Sequence, residues 1–152
     1  MTFKKAVRAV PKLEGAYRDG LDALLNYHQP RIVCDQKKRL KGSVNLDEAL
    51  EVQNNNSLGW DYGIGHYNGR SEEAIWVEVH PASADHIAHV IRKVEWLRAW
   101  LAANATGLLE MTRETHGYVW LAAGGVAFQR GSPQARQLAL AGVRFPEKRL
   151  QL

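Results

Sequence analysis

The sequence predicts a mixed α/β fold: a central sheet that contains an antiparallel hairpin and is flanked by helices. Three observations carry that expectation. Aromatic and β-branched residues flank Asn68-Gly69, among the strongest short hairpin signals. Residues 83–103 place Ile87, Val90, Ile91, Val94, Leu97 and Leu101 at helical spacing. Beyond them, Tyr118-Val-Trp-Leu-Ala-Ala123 is apolar and strand-like, and a second helical stretch follows. The order helix, strands, long helix, strand, helix, strand describes an α/β sandwich around a mixed sheet.

Taken in order, the first helix is expected over residues 12–27. Leu13, Tyr17, Leu21, Leu24 and Leu25 form one stripe there, and His28-Gln29-Pro30 ends it. Arg31-Ile-Val-Cys-Asp35 reads as a short strand. A short helix over 46–52 takes Asn45 as N-cap and Glu48 as its capping-box partner. Asn54-Asn55-Asn56-Ser57 reads as loop. The hairpin spans 59–81, with Pro81 closing its second strand. Ser83 is expected to cap the long helix, with Asp85 in its first turn. Trp96 and Trp100 widen that helix's buried stripe as core residues. Gly124-Gly125 reads as a turn, or as a second hairpin with Val126-Ala-Phe128. Residues 133–141 form a helix between Ser132 as cap and Gly142 as stop, and 143–152 is extended.

The bulk properties bound the function. A chain of 152 residues, 45% hydrophobic and 24% charged, fits one ordinary globular domain. The single cysteine, Cys34, excludes an intramolecular disulfide framework and a cysteine-rich zinc site, and suits a reducing cytoplasm. Cys34 reads as a small packing residue rather than a nucleophile. No apolar run approaches the ~18–20 residues of a membrane span, and Met1-Thr-Phe-Lys-Lys5 lacks the features of a secretory signal. The net charge is +4. It clusters at Lys37, Lys38, Arg39 and Lys41, and again at Arg144, Lys148 and Arg149. These blocks are either solvated faces or a surface for nucleic acid.

The hairpin carries the chemistry. A turn centred on Gly69–Arg70 sets Asp61 opposite Glu78 and Gly59 opposite His80. Alternation then gives one face Gly59, Asp61, Gly63, Gly65, Ala74, Trp76, Glu78 and His80. The other face takes Trp60, Tyr62, Ile64, Ile75, Val77 and Val79, and is expected to be the core. Two carboxylates directly opposite repel unless a cation lies between them. Mg²⁺ or Mn²⁺ suits hard oxygen ligands, and the glycines leave room for an ion or a substrate backbone. The alternative is that Asp61 and Glu78 point into solvent and pair with neighbouring Arg or Lys.

With these residues in place, the chain resembles the PD-(D/E)XK nuclease superfamily, the restriction-endonuclease-like fold. Asp61 matches the first acid, and Glu78-Val79-His80 matches Glu-x-Lys with His in place of Lys. The resemblance covers roughly residues 12–123. It implies an α-β-β-β-α-β core, Mg²⁺ or Mn²⁺ held by Asp61 and Glu78, and His80 orienting or deprotonating a water. It implies Lys93 as a replacement for the motif lysine, and a further carboxylate from Glu14 or Glu48. The basic blocks would hold phosphates. Two function classes follow: a metal-dependent phosphodiesterase acting on DNA or RNA, and a non-catalytic interaction or regulatory domain on the same fold. A zinc site from His80, His86 and His89 with Asp61 is a weaker reading.

Overall fold

The computed structural model describes residues 1–50 and 59–152. The chain opens with helix α1, Phe3–Arg8, capped by Thr2, whose hydroxyl accepts the Lys5 N–H at 3.2 Å. The helix expected over 12–27 does not form. That stretch holds a 3₁₀ turn, Glu14–Ala16, and a two-residue strand β1, Tyr17–Arg18. Its leucines are divided between the two faces of the sheet: Leu13 joins one core and Leu24 the other, while Leu25 is exposed. Gly20, at φ +52°, supplies the left-handed turn that ends any helical register.

A short strand β2, Ile32–Val33, follows where one is expected. A 3₁₀ turn, Lys37–Arg39, leads into β3, Leu40–Asn45. Helix α2, Leu46–Ala49, has the expected cap: the Asn45 side chain accepts the Glu48 N–H at 2.9 Å. The expected end of this helix at Val52 and the loop at 54–57 lie outside the described residues.

Strands β4, Tyr62–Tyr67, and β5, Glu72–Ala82, form the hairpin in the register that the turn implies, with Tyr62 opposite Val77 and Tyr67 opposite Glu72. Asn68 organises the turn, its side-chain oxygen accepting the N–H groups of Arg70 and Ser71. Pro81 does not close β5. The strand runs on to Ala82, and its pairing shifts register between His80 and Ala82, a bulge that accommodates a residue without an N–H.

A 3₁₀ turn, Ala84–His86, precedes α3, Ile87–Asn104. Ser83 makes no backbone cap; its hydroxyl bonds His86 Nδ1 at 2.9 Å. Helix α4, Thr106–Glu110, leads to β6, Tyr118–Val126, which continues through Gly124-Gly125 rather than turning there. Helix α5, Pro133–Leu140, is capped by Ser132 and stopped by Gly142 at φ +81°. Strands β7, Val143–Glu147, and β8, Leu150–Gln151, complete the chain.

The fold class is as expected. Six strands form a mixed sheet in the order β1-β3-β4-β5-β6-β7, and β2 pairs with β8 separately. Pairing is antiparallel from β1 to β5 and parallel from β5 through β7, with α3 and α5 as crossovers.

Both faces of the sheet are cores, which corrects the expectation of one apolar and one polar face. Tyr62, Ile64, Ile75, Val77, Val119 and Leu121 pack with Leu24, Ile32 and Leu150 on one side. The larger core lies on the side of Glu78, where Val44, Ala74, Trp76 and Trp120 meet α1 and the stripe of α3. Trp60 belongs to this second core, because regular alternation begins only at Tyr62. The hairpin glycines open no space for an ion. A Cβ on Gly63 would lie 2.6 Å from the Trp76 ring, and one on Gly65 would strike Phe3. Their role is close packing of two large rings, each worth about 1.5–3 kcal/mol when buried.

Candidate functional site

Asp61 lies just before β4, and its carbonyl accepts the Leu46 N–H that opens α2. Its own N–H donates to Glu78 Oε1 at 3.0 Å, and its Oδ2 accepts the Val79 N–H at 2.9 Å. The two residues therefore exchange side chain for backbone, and the Asp61 charge acts on the Glu78 carboxyl. Glu78 is 1% exposed, in mid-strand between sheet and helix.

Lys93 reaches Glu78 from α3, its Nζ pairing with Oε2. It occupies the buried stripe between Val90 and Val94 and is 8% exposed. A lone charge inside an apolar helical stripe marks it in the sequence. The cation that answers Glu78 is thus a lysine from the crossover helix. Neither of the expected extra carboxylates joins this group. Glu14 is exposed in its 3₁₀ turn, and Glu48 is exposed on α2, lining a groove with Lys12 and Arg18.

The electrostatics are those of crowded, desolvated acids. Burial pushes the Glu78 carboxyl up to about 8, helped by the charge of Asp61 and opposed by Lys93. Burial also raises Asp61, against the hydrogen bond from Val79 and the pull of Lys93. Asp47 on α2 and His28 also act on Asp61. His28 is placed by a 2.7 Å hydrogen bond between its Nδ1 and the Tyr62 hydroxyl. Neither Asp47 nor His28 is marked as a site residue by the sequence, because only the tertiary fold brings them to Asp61.

His80 is partly buried on β5, two residues beyond Glu78. Its Nδ1 faces its neighbour's carbonyl, Pro81 O, at 3.0 Å, and its own carbonyl accepts the Trp120 Nε1–H at 3.0 Å. Its ring lies 4.5 Å from that of His86 and 5.9 Å from that of His89. Burial lowers the His80 pKa, as do the positive charges near it. The three rings cluster without converging: among the described residues no three His, Cys, Asp or Glu side chains gather to hold a metal ion. The zinc reading of His80, His86 and His89 is therefore set aside.

The donor chemistry of Asp61 and Glu78 does fit a hard divalent cation. Both are oxygen donors, and burial together with neighbouring negative charge raises both carboxyls against the pull of Lys93. Mg²⁺ is commonly held by only one or two protein carboxylates, with water and phosphate completing its shell. Glu78 Oε2 would have to exchange Lys93 for the ion.

Among the described residues, no helix is long and apolar enough to cross a membrane. No family model matches the chain. No curated protein and no solved structure matches it either.

Proposed function

We propose that this protein is a metal-dependent nuclease-like domain that hydrolyses phosphodiesters of DNA or RNA. One observation carries the reading: Asp61, just before β4, and Glu78 on β5 are tied through each other's backbone, and Lys93 from the crossover helix pairs with the Glu78 carboxylate. The segment β3–β4–β5–α3–β6, interrupted by α2 after β3, supports the resemblance to the PD-(D/E)XK superfamily, although the first helix is the short α1 and two short strands separate it from β3.

Asp61 and Glu78 are the ligands for Mg²⁺ or Mn²⁺. A bound divalent cation supplies Lewis acidity toward the phosphodiester and a water of lowered pKa. Lys93 balances the second carboxylate until the ion takes its place at Oε2. His80 accepts a proton, a task suited to an imidazole that stays neutral at pH 7. Lys37, Lys38, Arg39 and Lys41 contact phosphates away from the reacting bond.

The test is cleavage of supercoiled plasmid and of end-labelled RNA in Mn²⁺, in Mg²⁺ and in EDTA. Metal-dependent cleavage that disappears in Asp61→Ala supports the proposal. Intact substrate under all three conditions, with no calorimetric Mn²⁺ binding, overturns it.

A second reading has its own observation. Glu78 is 1% exposed and both of its oxygens are already bonded, as in an ion pair that only builds the fold. A non-catalytic binding domain on the same scaffold is that reading, and the same experiment separates the two.

A further inference from the structure

The basic block at residues 37–41 does not stand alone on the surface. Tyr17 on β1 joins it to a second basic segment far away in sequence. The Tyr17 hydroxyl donates to the Lys41 carbonyl at 3.1 Å. Its ring carries Lys4 Nζ at 5.5 Å and the Arg8 guanidinium at 5.6 Å. Gly42, at φ +112°, lies against the same ring, where a Cβ would collide with it. At the other end of the block, Arg39 lies 6.0 Å over the Tyr67 ring.

Lys4, Arg8, Arg39 and Lys41 therefore gather around two tyrosines, with Lys5 on the same helix as Lys4 and Arg8, and Lys37 and Lys38 in the turn that leads into β3. Lys4, Lys5, Arg8, Lys37 and Lys38 are exposed. None of the seven takes part in an ion pair among the described residues. The acids that adjoin the face are Asp19 and Glu72, which act on Tyr17, and Asp35 in the chain leading into the block. Glu72 is already engaged, its Oε1 accepting the Phe3 N–H at 2.8 Å. Unpaired cations interleaved with aromatic rings are the surface chemistry of a phosphate-backbone binder.

We propose that this face is a docking surface for the sugar-phosphate backbone of a nucleic acid, with Lys4, Arg8 and Tyr17 contributing as much as the 37–41 block. The inference adds the binding partner's track to the nuclease reading, but binding at this face does not require cleavage. Placement defines the track. Leu40 pairs with His66, whereas Asp61 lies beyond the other end of β4, roughly 17 Å away along the strand. One strand of nucleic acid covers that distance in about five nucleotides. The face therefore serves a polymer and not a mononucleotide.

The test is fluorescence anisotropy with a labelled DNA duplex and a labelled RNA strand, both in EDTA so that no cleavage intervenes. The variant is Lys4→Gln/Arg8→Gln/Lys38→Gln/Lys41→Gln, and the control is Arg92→Gln/Arg136→Gln, both exposed on other elements. The wild type and the control are expected to bind alike, and the quadruple variant at least tenfold more weakly. On duplex DNA the salt slope should flatten by about 0.9 for each phosphate that the variant fails to neutralise. The two probes assign the polymer. Equal binding by the quadruple variant and the wild type overturns the docking surface. So does binding only to vesicles containing phosphatidylserine, with none to either polymer. The wild type separates the two readings: binding in EDTA with no cleavage in Mn²⁺ or Mg²⁺ removes the nuclease and leaves this face.

Discussion

Asp61 and Glu78 hold each other's strands. The Asp61 N–H donates to the Glu78 carboxylate, and the Asp61 carboxylate accepts the N–H of Val79, the residue after Glu78. Two acids that should repel are thus fixed side by side by backbone donors, with Lys93 as the balancing charge.

Asp61→Ala removes the acceptor of the Val79 N–H. The expected loss is about 1–3 kcal/mol, the cost of leaving a part-buried donor unpaired. Asp61→Asn keeps an acceptor oxygen and should lose less stability, while cleavage falls to background in both. Urea melts set beside the plasmid assay check this, and full activity in Asp61→Asn would remove Asp61 as an anionic ligand.

The raised Glu78 carboxyl gives stability a pH dependence of definite sign. Its pKa is about 8 in the folded protein, against an ordinary value of 4.5. The folded state therefore keeps a proton that the unfolded chain has released, and this contribution is complete below the unfolded pKa. Stability should fall as pH rises from about 5 to about 8, by at most about 1.4 kcal/mol per pH unit from this group. Denaturation across that window measures it. Glu78→Gln should flatten the slope, and an unchanged slope would mean that Glu78 is not the group responsible.

Lys93→Met leaves Glu78 buried without its cation. Above about pH 8, where Glu78 is ionised, breaking such a pair costs about 3–5 kcal/mol, whereas neutralising both partners costs far less. The double variant Glu78→Gln/Lys93→Met should recover most of the stability lost in Lys93→Met. A double variant no more stable than Lys93→Met would argue that the pair is not coupled.

Gly65→Ala places a methyl group against the Phe3 ring and should displace α1. Overpacking of this kind costs about 1–3 kcal/mol. At about 2–4 °C per kcal/mol for a chain of this size, a Tm lowered by several degrees is expected. Phe3→Leu in the same chain should restore part of it.

His80 has a lowered pKa, so it loses its charge below its ordinary value of 6.5. If it accepts the proton in the reaction, activity should show, besides the limb that protonation of Glu78 sets, an acid limb from His80 below 6.5. His80→Gln should lower kcat and erase that limb while leaving KM nearly unchanged. Loss of rate with the limb intact would assign the limb to another group.

The hairpin is legible in the sequence because its turn chemistry and its two alternating runs agree on one register, and register decides which side chains meet. The region of the expected first helix is not, because leucine spacing does not say which side of a sheet each leucine joins; Leu13 and Leu24 end on opposite faces. Strand β3 leaves little trace, because Gly42 and Ser43 are buried without being hydrophobic. Lys93 stands out as a candidate, but its reach to Glu78 depends on how α3 crosses the sheet. Glu14 and Glu48 sit on elements whose real positions or exposures keep them from the carboxylate pair.

The turn at Asn68 gives the hairpin something like a reading frame. Inserting one residue there would shift the strands' alignment far from the carboxylates, and Asp61 would no longer face Glu78. Because Gly63 and Gly65 are fitted to Trp76 and Phe3, such a frameshifted hairpin would also press larger side chains onto those rings. The turn, far from the carboxylates, therefore guards both the site and the core.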